Sequence, residues 1–234
     1  GSAYSPQCTN MPNRASVNQG ACSIMIFLLL SCQKESHSYQ SDDQTPDLAY
    51  VTFTSDVSTR TSLSAESVIW ESSDKVSVFD GIDNRRFSVV VEETKALIQG
   101  EAAQGQSYCL LYPFDERAKY ESNVISTLLP DTQSPRKDGF DANANILAAV
   151  TEDRSVTMSN VCGLLRFSIE GDDVESVSLT SVGGENFVGT IKVNMTDPAR
   201  PDVISAGKDC LRILPFERKT FAPGTYCVSP APVT

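Results

Sequence analysis

The chain has 234 residues, 40% of them apolar, and its 30 acidic against 19 basic side chains give a formal charge of −11. Such a surface repels polyanions, and no basic stripe with interleaved aromatics occurs, which argues against nucleic acid as a partner. The single histidine, His37, lies in polar sequence, so the residue most often recruited for general-base work is missing from the apolar-patterned part of the chain.

In chain order the first feature is the seven-residue run Ile24–Leu30, followed at once by Ser31 and Cys32. A bilayer span needs about 20 apolar residues, whereas the core of a secretory signal needs about 7–15. The run fits a signal. Leu29-Leu30-Ser31-Cys32 resembles a bacterial lipobox, in which lipid is attached to the cysteine thiol and cleavage makes that cysteine the N-terminus. This predicts a lipoprotein signal segment over 1–32 with Cys32 as the lipidated residue, and membrane contact through the lipid. A buried strand or core helix of the same length is the competing reading, and Arg14 is the one cation ahead of the run.

Residues 33–48, "QKESHSYQSDDQTPDL", are rich in Ser, Gln and Asp and cannot bury enough surface to offset the entropy of ordering, so they read as a polar tether. From Ala49 the texture changes to short apolar runs of period two, separated by turn residues. "AYVTFTS" places Val51 and Phe53 on one face and Tyr50, Thr52 and Thr54 on the other. Beyond it, strands are expected around Trp70, at Lys75 to Phe79 and at Phe87 to Glu92, with a turn over Asp80 to Asn84. "QSYCLLYP" and "NVISTLLP" supply two more, closed by Pro113 and Pro130.

In "VCGLLRFSIEG" the residues Val161, Gly163, Leu165, Phe167 and Ile169 share one face, and "FVGTIKVNM" repeats the device with Phe187, Gly189, Ile191, Val193 and Met195. Half-buried sheets follow. Further strands are expected at Leu211 to Leu214 and Tyr226 to Ser229, around the turn Pro223-Gly224. No stretch shows helical periodicity, so the sequence predicts an all-β chain of the β-sandwich type. The strands after Val161 number fewer than the roughly seven of a common sandwich, and the second half is expected to be incomplete or to await a strand from elsewhere.

Setting aside Cys8, Cys22 and Cys32, four cysteines remain, and Cys109, Cys162, Cys210 and Cys227 permit three pairings or four buried thiols. Cys210 and Cys227 flank the Pro-Gly turn and are the candidate disulfide. No Gly-x-Ser-x-Gly elbow, no Cys-x-x-Cys pair and no phosphate-cradling glycine loop is present. "DGIDN" at Asp80 to Asn84 reads as a β-turn rather than a calcium loop, because the alternating ligand ladder is missing. Trp70 and the tyrosines read as core before they read as a sugar platform. The expectation is therefore a non-enzyme with no catalytic residue, metal or cofactor.

Taken together, the lipobox, the tether, "STRTSL", "IWESSDKVSVFDG", "CLLYPF", "LLPDTQSPRKDGFDANANILAAV" and "MSNVCGLLRFSIEG" resemble the fimbrillin-like lipoproteins of Bacteroidales, over about Thr59 to Pro230. The resemblance implies two transthyretin-like β-sandwich domains of Greek-key type, here 49–158 and 159–234, in a fimbrial (pilus) subunit of the outer membrane and cell surface with a role in adhesion. It further implies that a trypsin-like protease cuts after an arginine, that the first strand is lost, and that a strand of the next subunit replaces it. Cys32 matches the lipid-bearing position and Arg60 the cut. Ala49, Tyr50, Val51, Thr52, Phe53 and Thr54 match the strand that is lost.

Other pilus subunits would then be the partners, with a host or bacterial surface receptor beyond them. Two other readings stand beside this one. A surface lipoprotein could keep its anchor and hold a glycan or host protein in its sandwich loops, and a carboxylate-pair hydrolase would need two acids facing one cleft.

Overall fold

The computed structural model describes residues 46–56, 58–59 and 68–232. Among the described residues eighteen strands follow one another: β1 Leu48–Asp56, β2 Ser58–Thr59, β3 Val68–Ile69, β4 Lys75–Phe79, β5 Asn84–Val91 and β6 Lys95–Ala103. Then come β7 Tyr108–Tyr112, β8 Lys119–Glu121, β9 Val124–Leu129, β10 Thr132–Gln133, β11 Leu147–Thr151 and β12 Ser159–Asn160. The last six are β13 Leu165–Ile169, β14 Val177–Thr180, β15 Gly189–Asn194, β16 Asp202–Ser205, β17 Cys210–Ile213 and β18 Gly224–Val228. One 3-10 turn, Ala142–Ala144, is the only helical element among the described residues.

The chain is thus all-β. Its ladders are antiparallel apart from the short β10–β17 pair and an isolated bridge between Thr54 and Ser155. The largest sheet has seven strands in the order β1-β6-β5-β4-β7-β11-β12. A four-stranded sheet, β16-β15-β9-β8, and two smaller ones, β10-β17-β14 and β13-β18, make up most of the rest.

Two hydrophobic clusters explain why these strands read as they do. Along β7 every residue is buried, with Tyr108, Leu110 and Tyr112 in one cluster and Cys109 and Leu111 in the other. A strand covered on both faces has no polar side to show, which is why "YCLLY" is continuously apolar. By contrast β5 has solvent on one face, and Phe87 and Val89 point inward while Ser88 and Val90 are exposed.

The first cluster collects the inner faces of β1, β4, β5, β6, β7 and β11, together with Trp70, Val156 and Met158. It is enclosed because the sheet curls: Thr54 on the β1 edge donates its N–H to the Arg154 carbonyl (2.7 Å) and accepts from the Val156 N–H (2.9 Å), just beyond β11. The second cluster lies between the opposite faces of β4, β7 and β11 and the strands β9, β15, β16, β17 and β18, giving a sandwich-like second layer. On β15 the alternation is as expected, with Ile191 and Val193 buried and Phe187 and Met195 buried beyond its ends.

The boundary expected between 158 and 159 is crossed by backbone pairing. β15 pairs with β9 over six residues, Gly189 to Asn194 against Leu129 to Val124. The second cluster likewise takes Phe79, Leu111 and Ile125 from one side and Ile191, Leu211 and Val228 from the other.

Several residues of the quoted motifs have visible structural tasks. Trp70 packs edge-on against Tyr112, with centroids 5.0 Å apart, and is core as expected. The Tyr112 hydroxyl donates to Asp74 Oδ1 (3.1 Å), while Asp74 Oδ2 accepts the Glu71 N–H (2.8 Å) and closes the turn after Trp70. The buried Gln133 side chain donates to the Ser229 carbonyl (3.0 Å) and accepts the Ser229 N–H (2.9 Å), which ties β10 to the end of β18.

Candidate functional site

β1 is an edge strand of unusual length for its place. All nine of its residues are in register with β6, from Leu48 opposite Ala103 to Asp56 opposite Lys95. Its other edge meets protein backbone only near Thr54 among the described residues. The period-two pattern decides which side chains go in: Val51, Phe53 and Ser55 are buried, whereas Tyr50 is 69% exposed.

Phe53 is the centre of this arrangement. It is fully buried, its ring 5.3 Å from that of Tyr108 in an edge-on contact and 6.0 Å from that of Phe87. Arg154 lies over both Phe53 (5.5 Å) and Tyr108 (5.4 Å), on the same residue whose carbonyl holds Thr54. Each buried side chain of this size contributes about 1.5–3 kcal/mol of transfer free energy. β1 therefore acts as a plug, with alternate side chains in a groove and one full ladder of hydrogen bonds.

The groove itself is the candidate site. Without β1, the β6 edge would present a row of unpaired N–H and C=O groups beside the apolar side chains of Phe87, Ile98 and Tyr108. An incoming extended segment with inward residues two apart could restore both the ladder and the packing.

Of the residues the sequence singled out, Ala49, Tyr50, Val51, Thr52, Phe53 and Thr54 all fall in β1. Cys32 and Arg60 lie outside the described residues, Arg60 in the stretch between β2 and β3. The candidate pairing of Cys210 with Cys227 is not made. Cys210 is on β17, opposite Thr180 of β14, and Cys227 is on β18, opposite Arg166 of β13, so the Pro-Gly turn does not bring their strands together.

None of the four cysteines among the described residues is in a disulfide. Burial pushes the Cys109 thiol up and the Cys162 thiol up to about 12, so neither offers a thiolate near neutral pH.

The "DGIDN" segment is the tight connection between β4 and β5, with Gly81 at φ 86°. The Asp80 side chain is wholly buried there. Its Oδ1 accepts the N–H groups of Ile82 (3.0 Å) and Asp83 (2.7 Å), and its Oδ2 accepts Ala103 N–H (2.9 Å) and Arg85 Nε (3.0 Å). Burial alone would raise the carboxyl's pKa, but these donors outweigh it and hold it below the usual carboxylate value.

Arg154 and Val156 are the members of the site that the sequence did not reveal. Arg154 stands alone in the polar stretch "TEDRS", where nothing in local spacing shows that it covers an aromatic ring a hundred residues earlier.

No family model, no curated protein and no solved structure matches the chain.

Proposed function

We propose that the protein is a lipid-anchored fimbrial subunit of the bacterial outer surface that assembles by β-strand exchange. In this reading Cys32 carries the lipid, cleavage after Arg60 separates β1 from the rest of the chain, and an extended segment of a neighbouring subunit takes its place. The fold would be of the transthyretin-like, Greek-key kind, and the assembled fibre would serve adhesion.

The observation that carries the reading is β1 itself. It is an edge strand that fills a core groove with Val51 and Phe53, and it stands N-terminal to the one arginine between β2 and β3. Replacing one strand by another of the same alternation exchanges hydrogen bonds for equivalent hydrogen bonds. A cut next to a strand that only the groove retains makes the exchange possible without any cofactor.

Limited digestion of the folded protein with trypsin tests this. The expected result is early cleavage after Arg60, loss of the β1 peptide when a strand-donating segment is supplied, and growth of higher oligomers seen by gel filtration and electron microscopy. A folded protein that resists cutting at Arg60, or a cut protein that retains β1 in the presence of excess donor strand, overturns the reading.

A further inference from the structure

A cavity of about 330 Å³ opens between the loop at residues 135–137 and the loop at 215–222. Three of its lining residues are cations, Arg136, Lys137 and Arg218, against one acid, Glu217. In a chain with net charge −11 this is a local reversal of sign. None of the three cations is in an ion pair among the described residues. Three unpaired cations around a concavity repel one another, and an anion bound there would relieve that repulsion.

Part of the wall is aromatic. Phe216, Phe221 and Tyr226 line the cavity, and Phe221 and Tyr226 are locked edge-on at 5.0 Å. The Tyr226 hydroxyl donates to the Ala222 carbonyl (2.7 Å), and the Asp138 N–H donates to the Thr225 carbonyl (2.7 Å), so both loops are fastened to β18. Asp138 and Glu217 hold positive φ values of 58° and 52°, a conformation that non-glycine residues seldom adopt and that concentrates at ligand sites. The Arg136 guanidinium lies 4.8 Å over the Phe216 ring. A guanidinium held over a ring still has N–H groups to offer a planar acceptor such as a carboxylate.

We infer that this cavity is a binding site for a small carboxylate carried on a ring, the acid meeting Arg136, Lys137 and Arg218 and the ring lying against Phe216 and its aromatic neighbours. The volume is at the small end of ligand pockets, which suits one ring rather than a chain of them. The proposal does not rest on strand exchange: the lining residues come from the segment after β10, the segment before β18 and β18 itself, and none belongs to β1.

Isothermal titration of the full chain at low ionic strength tests it with glucuronate and benzoate as probes and glucose and inorganic sulfate as controls. At least one of the two acids is expected to bind ten-fold or more tightly than either control, and whichever does so tells a sugar ring from an aromatic one. The Arg136→Ala/Arg218→Ala double variant should lose at least ten-fold in that affinity, while its urea midpoint falls no further than loss of the single exposed Arg136–Phe216 contact accounts for. Neither acid exceeding glucose, sulfate binding as tightly as the better acid, or an unaffected double variant would each overturn the proposal.

Discussion

Phe53 lies beneath Arg154, the guanidinium carbon 5.5 Å from the ring centre, while the Arg154 carbonyl accepts the N–H of the next residue, Thr54, at 2.7 Å. One residue thus holds β1 by its side chain and by its backbone at once. The backbone contact is available to any amino acid, but the ring contact is not. Arg154 is exposed, so each such contact adds about 0.5–1 kcal/mol.

Arg154→Ala loses two such contacts, to Phe53 and Tyr108, and is therefore expected to destabilise the protein by about 1–2 kcal/mol. Its larger effect should be local: amide protons of residues 51–55 exchange faster while those of β7 and β11 are unchanged. Hydrogen exchange read by mass spectrometry separates these segments. Uniform loss of protection would mean that Arg154 supports the whole sheet and does not act as a clasp on its edge.

Phe53 and Tyr50 differ by a factor that the strand's alternation sets. Phe53→Ala removes a fully buried ring and should cost about 3–5 kcal/mol, whereas Tyr50→Ala, at a 69% exposed position, should stay within about 0.5 kcal/mol. Urea denaturation of the two variants measures the contrast. Under the proposed strand exchange the same contrast should appear as a specificity rule, with donor peptides tolerating change at the outward position and failing at the inward one.

Gly100 makes a second demand on the groove. A Cβ built there would stand 2.7 Å from Phe87 Cδ2, and Phe87 is fully buried. Gly100 lies opposite Val51 in the β1–β6 ladder, so the contact falls beneath the plug. Gly100→Ala should destabilise by about 1–3 kcal/mol through overpacking. Shortening the ring in Phe87→Leu should make the added methyl less costly, which a double-mutant cycle in urea would read as a favourable coupling between the two changes.

How far the sequence foretold these relationships depended on their range. Period-two patterns located β1 and β15, because alternation is a local consequence of having one wet face and one dry one, while apolar runs closed by Pro113 and Pro130 located β7 and β9. Trp70 was legible as core for a related reason, being the bulkiest residue between two apolar runs. What could not be read was which strands meet. Cys210 and Cys227 look adjacent across a Pro-Gly turn, yet β17 pairs with β10 and β14 while β18 pairs with β13. Non-local pairing is chosen by the summed packing of the second cluster, to which β9 and β15 contribute together although sixty residues separate them. The cations around the 135–137 loop were hidden likewise, since Arg218 joins them only through tertiary structure.

Asp80 links the β4–β5 turn to β6 and sets an acid limit on the fold. Its four donors favour the ionised form and keep its pKa below the ordinary 3.8 despite burial. In the unfolded chain the carboxyl titrates at its ordinary value, so its contribution is fully present above about pH 4 and is lost as pH falls through the lower folded value. Asp80→Asn keeps the shape but presents an amide to donors placed for a carboxylate and leaves Arg85 without its buried partner, at a cost of about 3 kcal/mol at neutral pH. The variant should also show a shallower fall in stability between pH 4 and pH 2, because the titrating group is gone. Urea midpoints for both proteins at pH 7, 4 and 2.5 measure the two effects. Equal slopes on the acid side would assign the acid sensitivity to other carboxylates and leave Asp80 a role in turn geometry alone.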